Sequence, residues 1–150
     1  MYKRLTGILL ASTAVLALSG CGSSHDDVVI VDPGPGPGPG LVTLFLIDGA
    51  GIGVEFVPYT CYAPDGLVVT DDVTLGNGEF TFVPGDRCEF DLFGFPSDIV
   101  YPLYISDIDG FGKDDIPYSC VNDFGGYTEG ITDFDGYFTY PADAYCKFYL

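Results

Sequence analysis

"VPYTC" occupies residues 57–61, and "IPYSC" occupies residues 116–120. Aligning outward from this echo pairs residues 44–61 with residues 103–120 without a gap, and 7 of 18 positions are identical. The pairs are Leu44/Leu103, Asp48/Asp107, Gly51/Gly110, Gly53/Gly112, Pro58/Pro117, Tyr59/Tyr118 and Cys61/Cys120. A second block pairs residues 73–92 with 131–150 and keeps 7 of 20. Its pairs are Thr74/Thr132, Gly78/Gly136, Phe80/Phe138, Thr81/Thr139, Cys88/Cys146, Phe90/Phe148 and Leu92/Leu150. One residue of gap separates the blocks, so the chain carries a tandem repeat with a period of 58 to 59 residues.

Each repeat reads as strands. "VTLFLID" and "YPLYISD" are β-rich runs that end in an aspartate and meet a glycine-rich turn. "LGNGEFTF" and "DFDGYFTY" contain Asn-Gly and Asp-Gly, which predict hairpins. In the last run of each repeat the apolar residues alternate: Cys88, Phe90 and Leu92 share one face, as do Cys146, Phe148 and Leu150. Val57, Tyr59 and Cys61 share a face in the same way. No window shows an amphipathic helix with caps, and the fold class is all-β. The expected architecture is two tandem disulfide-stapled β repeats, residues 41–95 and 96–150, forming one or two small β-sandwiches. A repeat this short buries little apolar surface, so a covalent staple is physically useful.

The N-terminal residues belong to a different part of the molecule. "MYKR" is a short basic start, and residues 5–18 form a mainly apolar run. That run is shorter than the roughly 20 residues a bilayer-spanning helix needs. Residues 1–20 therefore read as a signal peptide. "LSGC" at residues 18–21 resembles the lipobox of bacterial lipoproteins, in which the cysteine becomes the lipidated N-terminus. The resemblance implies cleavage before Cys21, acylation of Cys21 with palmitate among its chains, and stable membrane anchoring through several acyl chains. Gly22 and Ser23 follow Cys21 where an aspartate would retain an inner-membrane lipoprotein, which implies an outer-membrane address. Either the periplasmic or the surface-exposed side fits. Residues 21–40 end in "PGPGPGPG", a composition that sustains neither helix nor sheet and predicts a disordered tether.

Four further cysteines in an exported chain predict two disulfides. Four cysteines allow three connectivities, and the duplication selects the self-consistent one: Cys61–Cys88 and Cys120–Cys146, one in each repeat. Each closes a loop of about 27 residues, worth about 3.5 kcal/mol in the chain-entropy model.

Charge narrows the partners. Beyond residue 20 the basic residues are Arg87, Lys113 and Lys147 against 22 acidic ones, a net charge of about −19. Phosphate binding needs clustered Lys and Arg, so nucleic acid is excluded as a partner. The motif D-x-x-G after the first strand, followed by T-x-x-N/D-G-x-F-x-F/Y, resembles bacterial immunoglobulin-like and carboxypeptidase-regulatory-like (transthyretin-type) β-sandwich modules. That resemblance implies a non-enzymatic spacer, stalk or binding role, with an envelope protein or a glycan as partner.

Catalytic chemistry is thinly represented. The single histidine, His25, lies in the tether, where nothing orients it as a base. There is no Cys-x-x-Cys and no phosphate-binding glycine motif. "DIDGFGKDD" at residues 107–115 is oxygen-rich, and Asp107, Asp109 and Asp114 are the candidate ligands for calcium as a cofactor. Phe111 stands where an EF-hand would place a fifth-position ligand, and Asp48 and Asp107 at strand ends also fit a turn-capping role. Phe and Tyr make up 22 of residues 41–150, with Tyr62, Tyr101, Tyr127 and Tyr137 as candidates for stacking on sugars. The functional expectation is a non-catalytic, lipid-anchored envelope module for structure or protein interaction, with surface adhesion through glycan or calcium as the alternative.

Overall fold

The computed structural model describes residues 40–150; the expected signal peptide, Cys21 and the expected tether up to residue 39 lie outside the described residues. Ten strands follow one another: β1 (Val42–Asp48), β2 (Pro58–Tyr62), β3 (Val68–Val73), β4 (Glu79–Phe82) and β5 (Arg87–Leu92) come from the first repeat. The second supplies β6 (Leu103–Ser106), β7 (Pro117–Val121), β8 (Tyr127–Ile131), β9 (Tyr137–Phe138) and β10 (Ala144–Tyr149). There is no helix among the described residues. The strands form a four-stranded sheet in the order β4-β1-β6-β9 and a six-stranded sheet in the order β3-β2-β5-β10-β7-β8. Both sheets contain strands of both repeats, so the two units build one small β-sandwich.

An internal pseudo-dyad relates the repeats. β1 pairs antiparallel with β6, and Leu46 faces Ile105, its own counterpart in the alignment. β5 pairs antiparallel with β10, and Glu89 faces Lys147, again its counterpart. The axis therefore runs through Leu46/Ile105 in one sheet and Glu89/Lys147 in the other. At the second position the duplicate residues carry opposite charge, and Lys147 Nζ lies 3.5 Å from Glu89 Oε1. This ion pair is part-exposed and contributes little by itself.

The core repeats the same symmetry. Inward residues alternate along β5 and β10 as the period-2 pattern predicts, placing Cys88, Phe90, Leu92, Cys146 and Phe148 between the sheets. Phe80 meets Phe90 edge-on at 4.9 Å, and Phe138 meets Phe148 at 4.9 Å. Phe90 and Phe148 touch each other at 5.6 Å across the axis and join the halves. Such edge-to-face pairs add about 0.5–1.5 kcal/mol each beyond their area. Both expected disulfides are present, Cys61–Cys88 and Cys120–Cys146. Each links directly opposed residues of neighbouring strands, β2 with β5 and β7 with β10, and all four cysteines are fully buried.

The Asn-Gly and Asp-Gly motifs form the expected tight turns, their ends joined by Leu75 N to Glu79 O and by Asp133 N to Tyr137 O, but the strand pairing stops there. Gly78 N donates to Leu75 O and Gly136 N to Asp133 O, so each motif closes a tight turn. The strands that enter and leave it then part: β3 and β8 edge the six-stranded sheet, while β4 and β9 edge the four-stranded one. Buried threonines cause the divergence. Thr74 Oγ1 accepts from Val57 N and donates to Val54 O, and Thr132 Oγ1 accepts from Ile116 N and donates to Lys113 O. These bonds draw the chain inward just before each turn and make it an arch between sheets.

Glycines let the arches seat. A Cβ at Gly53 would lie 2.1 Å from the carbonyl oxygen of Asn77, and one at Gly112 would lie 2.0 Å from that of Asp135. Gly78 and Gly136 adopt φ of 81° and 83°, the left-handed region open to glycine. Their identity in both repeats is explained by this close backbone approach.

Candidate functional site

The two ends of the sandwich are built from equivalent parts. At one end β1 runs into the loop over residues 49–57; at the other, β6 runs into the loop over residues 107–116. Asp48 Oδ1 accepts hydrogen bonds from Ala50 N and Ile52 N, both at 2.9 Å. Asp107 Oδ1 accepts from Asp109 N and Phe111 N, both at 3.0 Å. The paired aspartates are thus turn caps, in keeping with the ability of Asp to bond its own following backbone.

The candidate calcium ligands occupy separate places on this loop. Asp107 commits one oxygen to the amides of its own loop, and Asp109 sits exposed at the tip of that loop as one of the donors. Asp107, Asp109 and Asp114 are not brought together, and no three of His, Cys, Asp or Glu converge as a metal site among the described residues.

The second oxygen of each aspartate distinguishes the ends. Tyr101, just before β6 in the second repeat, donates its hydroxyl to Asp48 Oδ2 at 2.9 Å. Its ring packs on the core and on Phe95, with centroids 5.9 Å apart, and Tyr140 donates its hydroxyl to the Tyr101 carbonyl. The backbone amide of Ile52, followed by the Tyr101 hydroxyl and further loop amides, holds the Asp48 carboxyl below its ordinary value against an opposing effect of burial. Burial, reinforced by Asp48, raises the Tyr101 phenol.

At the other end, alignment puts Val42 in the place of Tyr101 and Phe82 in that of Tyr140. Neither carries a hydroxyl, and Val42 lacks the ring that fills the first end. Asp107 Oδ2 accepts no hydrogen bond among the described residues. An apolar groove of about 440 Å³ opens there, lined by Val42, Leu44, Phe82, Ile108, Ile116 and Tyr149, with Asp107, Asp115 and Lys113 among its polar residues. That volume lies within the range of small-ligand sites. Arg87 and Lys147 each lie against Glu89, whereas Lys113 has no ion-pair partner among the described residues.

The candidate sugar-stacking tyrosines do not gather. Tyr62 on β2 lies beneath the Arg87 guanidinium at 5.0 Å, Tyr137 on β9 packs at a tilt against Tyr104 with ring centroids 5.0 Å apart, and Tyr101 fills the first end. Tyr127 on β8 is exposed near the opposite edge of the six-stranded sheet from Tyr62. It belongs instead to an outward row across three strands, Tyr127–Val121–Tyr145, set by the β7–β8 and β7–β10 registers.

No sequence motif marks the groove residues. Their signal in the sequence is a mismatch, Val42 aligned with Tyr101, which identity-based reading passes over. No protein-family model, curated protein or solved structure matches this chain.

Proposed function

We propose that the chain is a lipid-anchored protein of the bacterial outer membrane whose β-sandwich is a non-catalytic protein-interaction module. One observation carries the non-catalytic part: the identical pairs of the duplication that lie inside the fold serve packing, turn capping or disulfide bonding. Leu44/Leu103, Tyr59/Tyr118, Phe80/Phe138 and the cysteine pairs are core, while Asp48/Asp107 and Thr74/Thr132 hold loops. The lipobox resemblance at residues 18–21 supports the anchor. The similarity to immunoglobulin-like and transthyretin-type modules supports an interaction role.

Replacement of Cys21 by Ala tests the anchor. Metabolic acyl label is expected on the parent chain and not on Cys21→Ala, which moves from the membrane pellet to the soluble fraction. An unlabelled parent chain would sink the lipoprotein reading. Protease shaving of intact cells then assigns the side: loss of the domain places it on the surface, and protection until the outer membrane is opened places it in the periplasm.

The outward Tyr127–Val121–Tyr145 row favours glycan adhesion as a second reading, since exposed aromatic rows offer stacking surfaces. Retardation in a polysaccharide gel, abolished by Tyr127→Ala, is the expected outcome on that reading; unretarded migration across a panel of envelope glycans removes it.

A further inference from the structure

We propose that the groove beside Val42 and Asp107 is a docking site for a tyrosine side chain presented by a cationic segment of a partner polypeptide. This deepens the protein-interaction reading by naming the surface and the chemistry it accepts.

The molecule contains its own template. At the first end Tyr101 supplies a ring that packs on the core and a hydroxyl donated to Asp48 Oδ2 at 2.9 Å. At the second end the acceptor is retained and the donor is absent. Asp107, one of the groove-lining residues, has the same loop, the same Oδ1 capping pattern and an Oδ2 with no donor among the described residues. The walls repeat the first end as well: Leu44 stands for Leu103, Phe82 for Tyr140 and Ile116 for Val57. What is removed is the Tyr101 ring, since Val42 is too short to reach Asp107. A phenol is therefore the group whose shape and single donor match the vacancy.

Charge selects the carrier. Three basic residues against 22 acidic ones give the exported part of the chain a field that draws in cationic segments and repels a second copy of itself. Asp107 and Asp115 place two carboxylates at the groove itself, against the single ammonium of Lys113. A tyrosine flanked by lysines or arginines is accordingly favoured over one flanked by acids.

Two-dimensional amide NMR on the oxidised full chain tests this with the pentapeptide Lys-Gly-Tyr-Gly-Lys as probe. Saturable shifts are expected at Val42, Ile108, Lys113 and Tyr149, with affinity about tenfold weaker for Lys-Gly-Phe-Gly-Lys, the loss of one hydrogen bond to a charged acceptor. Asp107→Asn keeps the Oδ1 turn cap and replaces the Oδ2 acceptor with a donor. It should weaken both peptides by the loss of one groove charge and the tyrosine peptide further by the lost acceptor, so that the tenfold preference for tyrosine disappears. Val42→Tyr supplies the missing ring in cis and should abolish the shifts; if that variant fails to fold, Asp107→Asn with an unchanged spectrum elsewhere decides. Absence of shifts at millimolar peptide overturns the proposal, as does equal binding of the two peptides. Saturation by 4-methylphenol with no response to the peptide also overturns it, in favour of a small phenol. Each of these results leaves the acylation test of Cys21 untouched, so failure of the groove and failure of the lipoprotein reading are read separately.

Discussion

The two ends of this sandwich share a loop design and differ in one ring. Asp48 and Asp107 cap equivalent turns with equivalent bonds, yet one carboxylate is sealed by Tyr101 and the other borders an open groove. A duplicated scaffold holds itself together with the residues it keeps, and it differentiates with those it changes. The filled end shows what the open end is shaped to receive, a more specific guide than the groove's apolarity alone.

The disulfides offer the largest perturbation of this comparison. Replacing Cys61 and Cys88 together by Ala, or Cys120 and Cys146 together, should each cost about 2–5 kcal/mol. Because the loops they close span 27 and 26 residues, the two losses should be nearly equal in urea denaturation. A difference beyond about 1.5 kcal/mol would mean that the halves do not share stability evenly.

The threonine latches come next. Thr74→Val leaves Val57 N and Val54 O without partners in the interior, and Thr132→Val does the same to Ile116 N and Lys113 O. About 1–3 kcal/mol is expected for each, from the desolvation of unpaired backbone groups. The loss should be larger at Thr74, whose bonds are wholly buried, than at Thr132, whose bonds are partly so. Equal losses by thermal unfolding would show that burial at the two latches is energetically equivalent.

Tyr101→Phe targets the asymmetry itself and should cost about 1 kcal/mol near neutral pH by removing the bond to Asp48. The signs of the pH dependence follow from the two shifts. Asp48 is lowered, so its contribution is present above its ordinary value of 3.8 and is lost as pH falls through the lower folded value. Tyr101 is raised, so its contribution is present below its ordinary value of 10.0 and is lost as pH rises through the higher folded value. The difference in melting temperature between parent and Tyr101→Phe should therefore shrink at both extremes; no difference at any pH would show that the ring, which both carry, supplies the stabilisation rather than the hydroxyl.

The smallest effect concerns a strained pair. Phe56 and Asp115 occupy equivalent positions with φ of 61° and 58°. A bulky residue there costs roughly 1–2 kcal/mol, whereas Asp tolerates the left-handed region through local hydrogen bonding. After the entropy that glycine adds to the unfolded chain, Phe56→Gly should stabilise by about 0.5 kcal/mol and Asp115→Gly by about zero. A destabilised Phe56→Gly would reveal a packing role for a side chain that is 70% exposed.

Much of this was legible in the sequence. The repeat, the all-β class, the inward alternation of Cys88, Phe90 and Leu92, the pairing of cysteines within each repeat and the capping use of Asp48 are all local or self-referential. A period of two follows from the pleat, a capping aspartate from its own short side chain, and the disulfide choice from demanding the same answer twice. Tertiary structure alone decided that two repeats make one sandwich, because that depends on antiparallel pairing of β1 with β6 and of β5 with β10, contacts between residues a full repeat apart. It also sent the strands on either side of Asn77–Gly78 into different sheets, with Thr74 bonded to the β1–β2 loop just before the turn. The open groove belongs to the same class. Val42 and Tyr101 are unremarkable residues in sequence, and their difference acquires meaning once the fold sets each beside an aspartate at an end of the core.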